Sequence, residues 1–126
     1  MWRERVARCG ERIAAEFLSL RGMEVVDRNV RVGRGEIDLV ARDREQVVFV
    51  EVKFRTQGGK AGPLDAVGWK KREDVARAAA LYLARRGLLD RSVRFDVVGI
   101  TWRSDGGELL VQHVPNAYPG GRNQFY

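Results

Sequence analysis

The stretch GEIDLVARDREQVVFVEVKFR, residues 35–55, decides how this chain folds. Its two halves are rich in valine and other strand-favouring residues, and the polar run Asp43, Arg44, Glu45, Gln46 lies between them, so the spacing predicts an antiparallel hairpin. Side chains alternate faces along a strand. Glu36, Asp38 and Val40 then share one face of the first strand, and Val47, Phe49, Glu51 and Lys53 share one face of the second. Ile37, Leu39, Val48, Val50, Val52 and Phe54 fall on the opposite face. With the turn centred on Arg44 and Glu45, Asp38 lies across from Glu51 and Glu36 across from Lys53. Opposed residues in such a pair have Cβ atoms roughly 4.5–5.5 Å apart, close enough for two carboxylates to hold one cation. A slip of one residue would send the charges to the other face. A plainer reading is a charge-laced hairpin in solvent, with Glu36 paired to Lys53 and Asp38 to an arginine. Against it, both faces of the hairpin carry apolar residues, the mark of a strand buried on both sides, where two carboxylates repel unless a metal or lysine offsets them.

Outward from the hairpin, the turn-prone Gly33-Arg34-Gly35 leads back to a first strand, MEVVDRNVRV. Before it, Val6, Gly10, Ile13, Phe17 and Leu20 recur at helical spacing and predict an amphipathic helix ending at Gly22. After the hairpin, TQGGKAGP (residues 56–63) reads as a mobile loop that gates the site. A second helix begins at about Leu64, with Val67, Lys71, Val75, Ala78, Ala79, Tyr82 and Leu83 along its core face as far as Gly87. VRFDVVGITW is a fourth strand, SDGG a turn and ELLVQHV a fifth strand pairing back as a hairpin. The expected architecture is α/β: a helix, a three-strand antiparallel meander, a crossover helix, a fourth strand parallel to the third, and an extra hairpin strand. The result is a mixed sheet flanked by helices. Residues 1–116 form one domain and 117–126 a tail without fold of its own.

At 126 residues with 44% apolar side chains, the chain can bury one modest core. A formal charge of +6 favours an anionic partner, nucleic acid or an acidic membrane surface. The single cysteine, Cys9, rules out an internal disulfide framework and reads as a small buried residue of a protein in a reducing compartment. Charges scattered through the first 17 residues leave no secretion signal, and no run is long enough to span a bilayer, so a cytoplasmic protein without membrane attachment is expected.

The chemistry that fits the hairpin is metal-assisted phosphodiester hydrolysis. Carboxylate oxygens suit a hard cation such as Mg²⁺ or Mn²⁺, with Asp38 and Glu51 as ligands and the backbone carbonyl of Val52 as a third oxygen. Lys53 would orient the attacking water or offset charge developing on phosphate. Among other conspicuous residues, His113 reads as ordinary packing or exposure in an edge strand. The glycines of TQGGKAG lack phosphate-cradling spacing. Trp2, Trp69 and Trp102 are more simply packing residues than base-stacking platforms.

An acid on the second strand followed by Glu51-Val52-Lys53 on the third resembles the PD-(D/E)XK nucleases, although isoleucine, not proline, precedes Asp38. The ordered set GERIAAEFL, RNVR, GEIDLV, VFVEVKFR, a lysine before AAALYL, and RFDVV is similar to the YraN-like family of small bacterial endonuclease-like proteins, from about Gly10 to Asn116. The resemblance implies a restriction-endonuclease-like core and a metal-dependent endonuclease acting on DNA, including branched or junction DNA. It implies that Glu11 joins the metal site directly or through water, and that Lys71 contacts phosphate, with Lys70 its neighbour. Glu36 reads either as an acid supporting the metal site or as a partner of Lys53. Asn29, Arg31 and Arg55 are further candidates for nucleic-acid contact, Asn29 and Arg31 equally for a structural role. Asp96 reads as a buried ion pair. The alternative class is a module that keeps the fold and basic surface, binds nucleic acid and does not cut. Junction cleavage would call for a homodimer.

Overall fold

The computed structural model of the chain describes residues 2–56, 69–103 and 107–117. The elements are helix α1 (Trp2–Leu20), strands β1 (Glu24–Val32), β2 (Gly35–Asp43) and β3 (Gln46–Thr56), helix α2 (Trp69–Arg86), and strands β4 (Val93–Arg103) and β5 (Glu108–Val114). They form one five-stranded sheet in the order β1-β2-β3-β4-β5. β1, β2 and β3 are antiparallel neighbours, β4 runs parallel to β3, and β5 returns antiparallel along β4. This is the mixed α/β sheet expected from the order of hydrophobic patterns.

The two helices cover opposite faces, because each has one apolar side and the central strands have two. On one face Ala14, Ala15 and Leu18 of α1 pack over Leu39, Ala41, Val48, Val50, Val98 and Ile100. On the other, Val75, Ala78, Ala79, Tyr82 and Leu83 of α2 pack over Val40, Val47, Phe49, Phe95 and Val97. Phe49 and Phe95 stack at 5.6 Å between centroids, and Tyr82 meets Phe49 edge-on at 5.8 Å. Small residues let the helices come close. A Cβ on Gly35 would lie 2.5 Å from the Asp74 carbonyl oxygen and 2.7 Å from the Ala78 Cβ, so only glycine admits α2 at that point of β2. Gly10 likewise seats α1 against the end of β3, where a Cβ would come within 3.2 Å of the Phe54 ring.

Several expectations are corrected. Leu20 is 86% exposed, because the buried line of α1 runs Gly10, Ala14, Leu18 and Leu20 lies about 200° around the helix from Leu18. Cys9 is exposed, not buried. Of the two readings of His113, packing rather than exposure is observed: its side chain is only 4% exposed and held 2.8 Å from Asp96. The register that hides it places Val98 opposite His113, making Asp96 a diagonal neighbour. The segment after β5 is anchored as far as Ala117: the Asn116 N–H donates to Asp96 and the Ala117 N–H to the Phe95 carbonyl. Residues 57–63 of the glycine-rich loop, the proposed start of α2 at Leu64 with Val67, and residues 118–126 of the tail lie outside the described residues.

Candidate active site

The hairpin register is the expected one. Asp43 pairs with Gln46, Arg42 with Val47, Ala41 with Val48, Val40 with Phe49 and Leu39 with Val50. Arg44 takes a left-handed conformation at φ 59° in the two-residue turn. The paired ladder stops at Leu39 and Val50, one residue short of Asp38 and Glu51. Beyond that rung β2 and β3 form a fork. Asp38 bridges it, its Oδ2 accepting the Val52 N–H at 2.8 Å, so the carboxylate stands in for a backbone acceptor.

The fork has a cause in β1. Asp27 faces α2, where Tyr82 and Arg86 donate to its carboxylate. Strict alternation would turn Val30 toward α1, yet Val30 and Val32 pack with the α2 cluster. The phase shifts at Asn29, which is left-handed at φ 50°, a conformation asparagine tolerates better than other non-glycine residues. Arg28 pairs with Leu39 and Val30 with Ile37, so the rung between them is Asn29 and Asp38. β2 changes phase there too: Ile37 packs beneath α2, whereas Leu39 and Ala41 pack beneath α1. Ile37 therefore departs from the face expected for it. Val52 and Phe54 keep theirs, packed against the α1 cluster. An asparagine in the middle of a strand was the sequence signal for this shift.

Glu11, Glu36 and Glu51 lie close enough near the fork to feel one another's charge. Glu51 is 5% exposed, and its Oε1 lies 3.4 Å from Lys53 Nζ on the same strand. Glu11 reaches in from α1, one residue beyond the closely packed Gly10. Burial pushes the Glu11 carboxyl above its ordinary value; a hydrogen bond from Asn29 opposes this, Glu36 raises it, Arg8 lowers it, and Glu51 raises it. Asn29 thus holds Glu11, a role that its sequence position alone did not reveal. Glu36, exposed, forms its ion pair with Arg31 at 3.0 Å, which leaves Lys53 to Glu51. Arg55 lies two residues past Lys53, half-buried. Lys70 and Lys71 lie in the first turn of α2, with side chains outside the described residues. Asp96 stands apart, wholly buried and bonded to Arg94, His113 and the Asn116 N–H, with Arg94 extending the network to Asp43 and Gln46. It is structural.

Among the described residues no three His, Cys, Asp or Glu side chains are grouped to hold a metal by themselves. The donors at the fork are carboxylate and carbonyl oxygens, and Mg²⁺ needs only one or two carboxylates because it keeps several waters. Two acids and a backbone oxygen fit that requirement.

A helix, an antiparallel meander, a second helix and a parallel fourth strand define a mixed α/β protein whose five-stranded sheet is flanked by two helices. The chain belongs to the family described as Uncharacterised protein family UPF0102, the YraN family, whose model matches residues 10–100. A UPF0102 protein of Anaeromyxobacter dehalogenans is 45% identical over 118 residues, 94% of this chain and 87% of that one. One of Syntrophotalea carbinolica is 43% identical over 90% of each chain. A solved structure of Pyrococcus furiosus SfsA in complex with Ca²⁺ is similar over 77% of this chain and 55% of that one, at 15% identity and a TM-score of 0.38. Among the described residues no helix is long and apolar enough to cross a membrane.

Proposed function

We propose that the fork between β2 and β3 is the site of a metal-dependent endonuclease that hydrolyses phosphodiester bonds of DNA, branched or junction DNA included. The observation that carries this reading is the convergence of Asp38, the buried Glu51 and Lys53 at the point where the ladder opens. Asp38, Glu51 and the Val52 carbonyl would hold Mg²⁺ or Mn²⁺, with Glu11 joining directly or through water. Such a cation would supply Lewis-acid polarisation of a scissile phosphate and a lowered pKa for a neighbouring water. The rest belongs to the chain. The Val52 N–H fixes the rotamer of Asp38, and Asn29 holds Glu11 toward the fork. The Lys53 ammonium, 3.4 Å from Glu51, is placed to offset charge developing on a phosphate. Glu36 and Arg31 form the outer rim, and Arg31, Arg55, Lys70 and Lys71 are the candidate phosphate contacts.

The test is cleavage of labelled single-stranded, duplex, flap and four-way-junction DNA with Mg²⁺ or Mn²⁺, beside Asp38→Asn and Glu51→Gln proteins purified identically. Cutting by the wild type that both variants lose supports the assignment; cutting retained by Asp38→Asn removes Asp38 from the site. Lys53→Ala should lose cutting while still binding Mn²⁺ in calorimetry. The close Lys53 and Glu51 pair also favours a second reading, because its ammonium offsets the buried acid without a metal ion: a nucleic-acid-binding module of the same fold that does not cut. Salt-sensitive DNA binding by a wild type that cleaves none of the substrates would select it.

A further inference from the structure

The sheet has two edges, and they differ in a way that points to a partner. β1 is guarded: its register is irregular between Val25 and Asp27, Asn29 is left-handed, and Glu24, Asp27, Arg28 and Arg31 line it with charge. Bulges and edge charges are how strands resist pairing with another chain. β5, at the other edge, has a continuous register with β4 from Arg103↔Glu108 to Val97↔Val114. Among the described residues nothing pairs with its outer side. Glu108 is its only acid and it contains no lysine or arginine, while its histidine is turned in against Asp96. Leu109 and Leu110 are 39% and 43% exposed, and Trp102, opposite Leu109, is 39% exposed. The strand thus carries apolar residues on both faces and, among the described residues, is open along its backbone.

We propose that β5 is the interface of a homodimer in which two copies pair antiparallel through this edge and join their sheets into one of ten strands. This inference does not rest on the catalytic reading. The choice of a second copy follows from charge and from self-complementarity. In a chain of net charge +6, a stretch without basic residues offers a nucleic acid nothing to hold, yet lets two copies meet without repulsion. A two-fold axis perpendicular to the sheet keeps each face continuous, so only residues on the same face can oppose one another. An axis through Leu110 sets Leu110 against the partner's Leu110, and Leu109 against the partner's Val111. Moving the axis to Val111 would set the leucines against histidine and glutamine. The apolar pattern therefore selects Leu110 as the centre. The exposed patch is small beside the roughly 800 Å² per partner of a standard interface, so association should depend on concentration.

Sedimentation velocity of the full chain over a concentration series tests this, with Leu110→Lys as the disrupting variant. Leu110 is exposed, so unchanged circular dichroism is expected. The wild type should pass from monomer to dimer as concentration rises and Leu110→Lys should remain monomeric. In a Cys9→Ser background, Leu110→Cys should give a disulfide-linked dimer on mild oxidation, and Leu89→Cys, at an exposed leucine beyond α2, should not. A wild type that stays monomeric throughout, or a Leu110→Lys variant that dimerises like the wild type, overturns the interface. Dimerisation without the cross-link at position 110 overturns the axis.

Discussion

Glu11 shows what the site demands of a single side chain. Its carboxyl is held above its ordinary value chiefly by burial, with the charges of Glu36 and Glu51 adding to the shift. A carboxyl whose folded value exceeds its unfolded one is destabilising when ionised, a penalty fully present above the folded value and absent below the unfolded one. Glu11→Gln should therefore raise the denaturant midpoint at neutral pH. The gain should fade as pH falls from the raised value through the ordinary value of 4.5, read in urea titrations at a series of pH values. The same variant should lose cleavage, the trade of stability for activity common at functional sites. Asp38 behaves differently because one oxygen is occupied by the Val52 N–H. Asp38→Ala should cost about 1 kcal/mol for the lost hydrogen bond. Asp38→Asn, which keeps an acceptor oxygen, should cost less, and both should lose Mn²⁺ binding in calorimetry. The register that sets Asp38 toward Glu51 was legible from alternation and turn position. The hydrogen bond of Asn29 to Glu11 was not, because it joins β1 to a helix distant in sequence.

At the scale of elements, the fork depends on how closely the helices approach the strands. Gly35→Ala would drive a methyl group into the α2 backbone at Asp74 and into Ala78. A loss of about 1–3 kcal/mol is expected from such overpacking, measured as a shift of the thermal midpoint. On the α1 face, Asp96 joins β4, β5 and the segment after β5, and through Arg94 it reaches the turn of the β2–β3 hairpin. Asp96→Ala strips a buried carboxylate from Arg94 and His113. A loss toward the lower end of the roughly 3–5 kcal/mol typical of a broken buried pair is expected, since Arg94 keeps Asp43. Chemical denaturation with the Asp43→Ala variant alongside would separate the two contributions. Element types and order were readable because their periods of 2 and 3.6 are local properties. The helix faces were less so: the spacing of Val6, Gly10, Ile13, Phe17 and Leu20 suggested one stripe, whereas the sheet buries Ala14, Ala15 and Leu18, keeps Ile13 and Phe17 at the flank and leaves Leu20 exposed.

For the whole molecule, the charge of +6 predicts that DNA affinity falls steeply with salt. Fluorescence anisotropy at two salt concentrations would measure the slope, and an affinity indifferent to salt would count against a phosphate-tracking surface. The amino-acid sequence by itself determined the α/β class, the order of strands and helices, the hairpin register and the placing of Glu51 and Lys53 on one face of one strand, since each follows from local periodicity, turn chemistry and the two-residue alternation of a strand. Only the tertiary structure decided that Glu36 turns to Arg31, Glu11 to Asn29 and His113 to Asp96. Those pairings join residues far apart in the chain, or turn on a change of strand phase at one left-handed residue, and neither is written in the hydrophobic pattern of any single element.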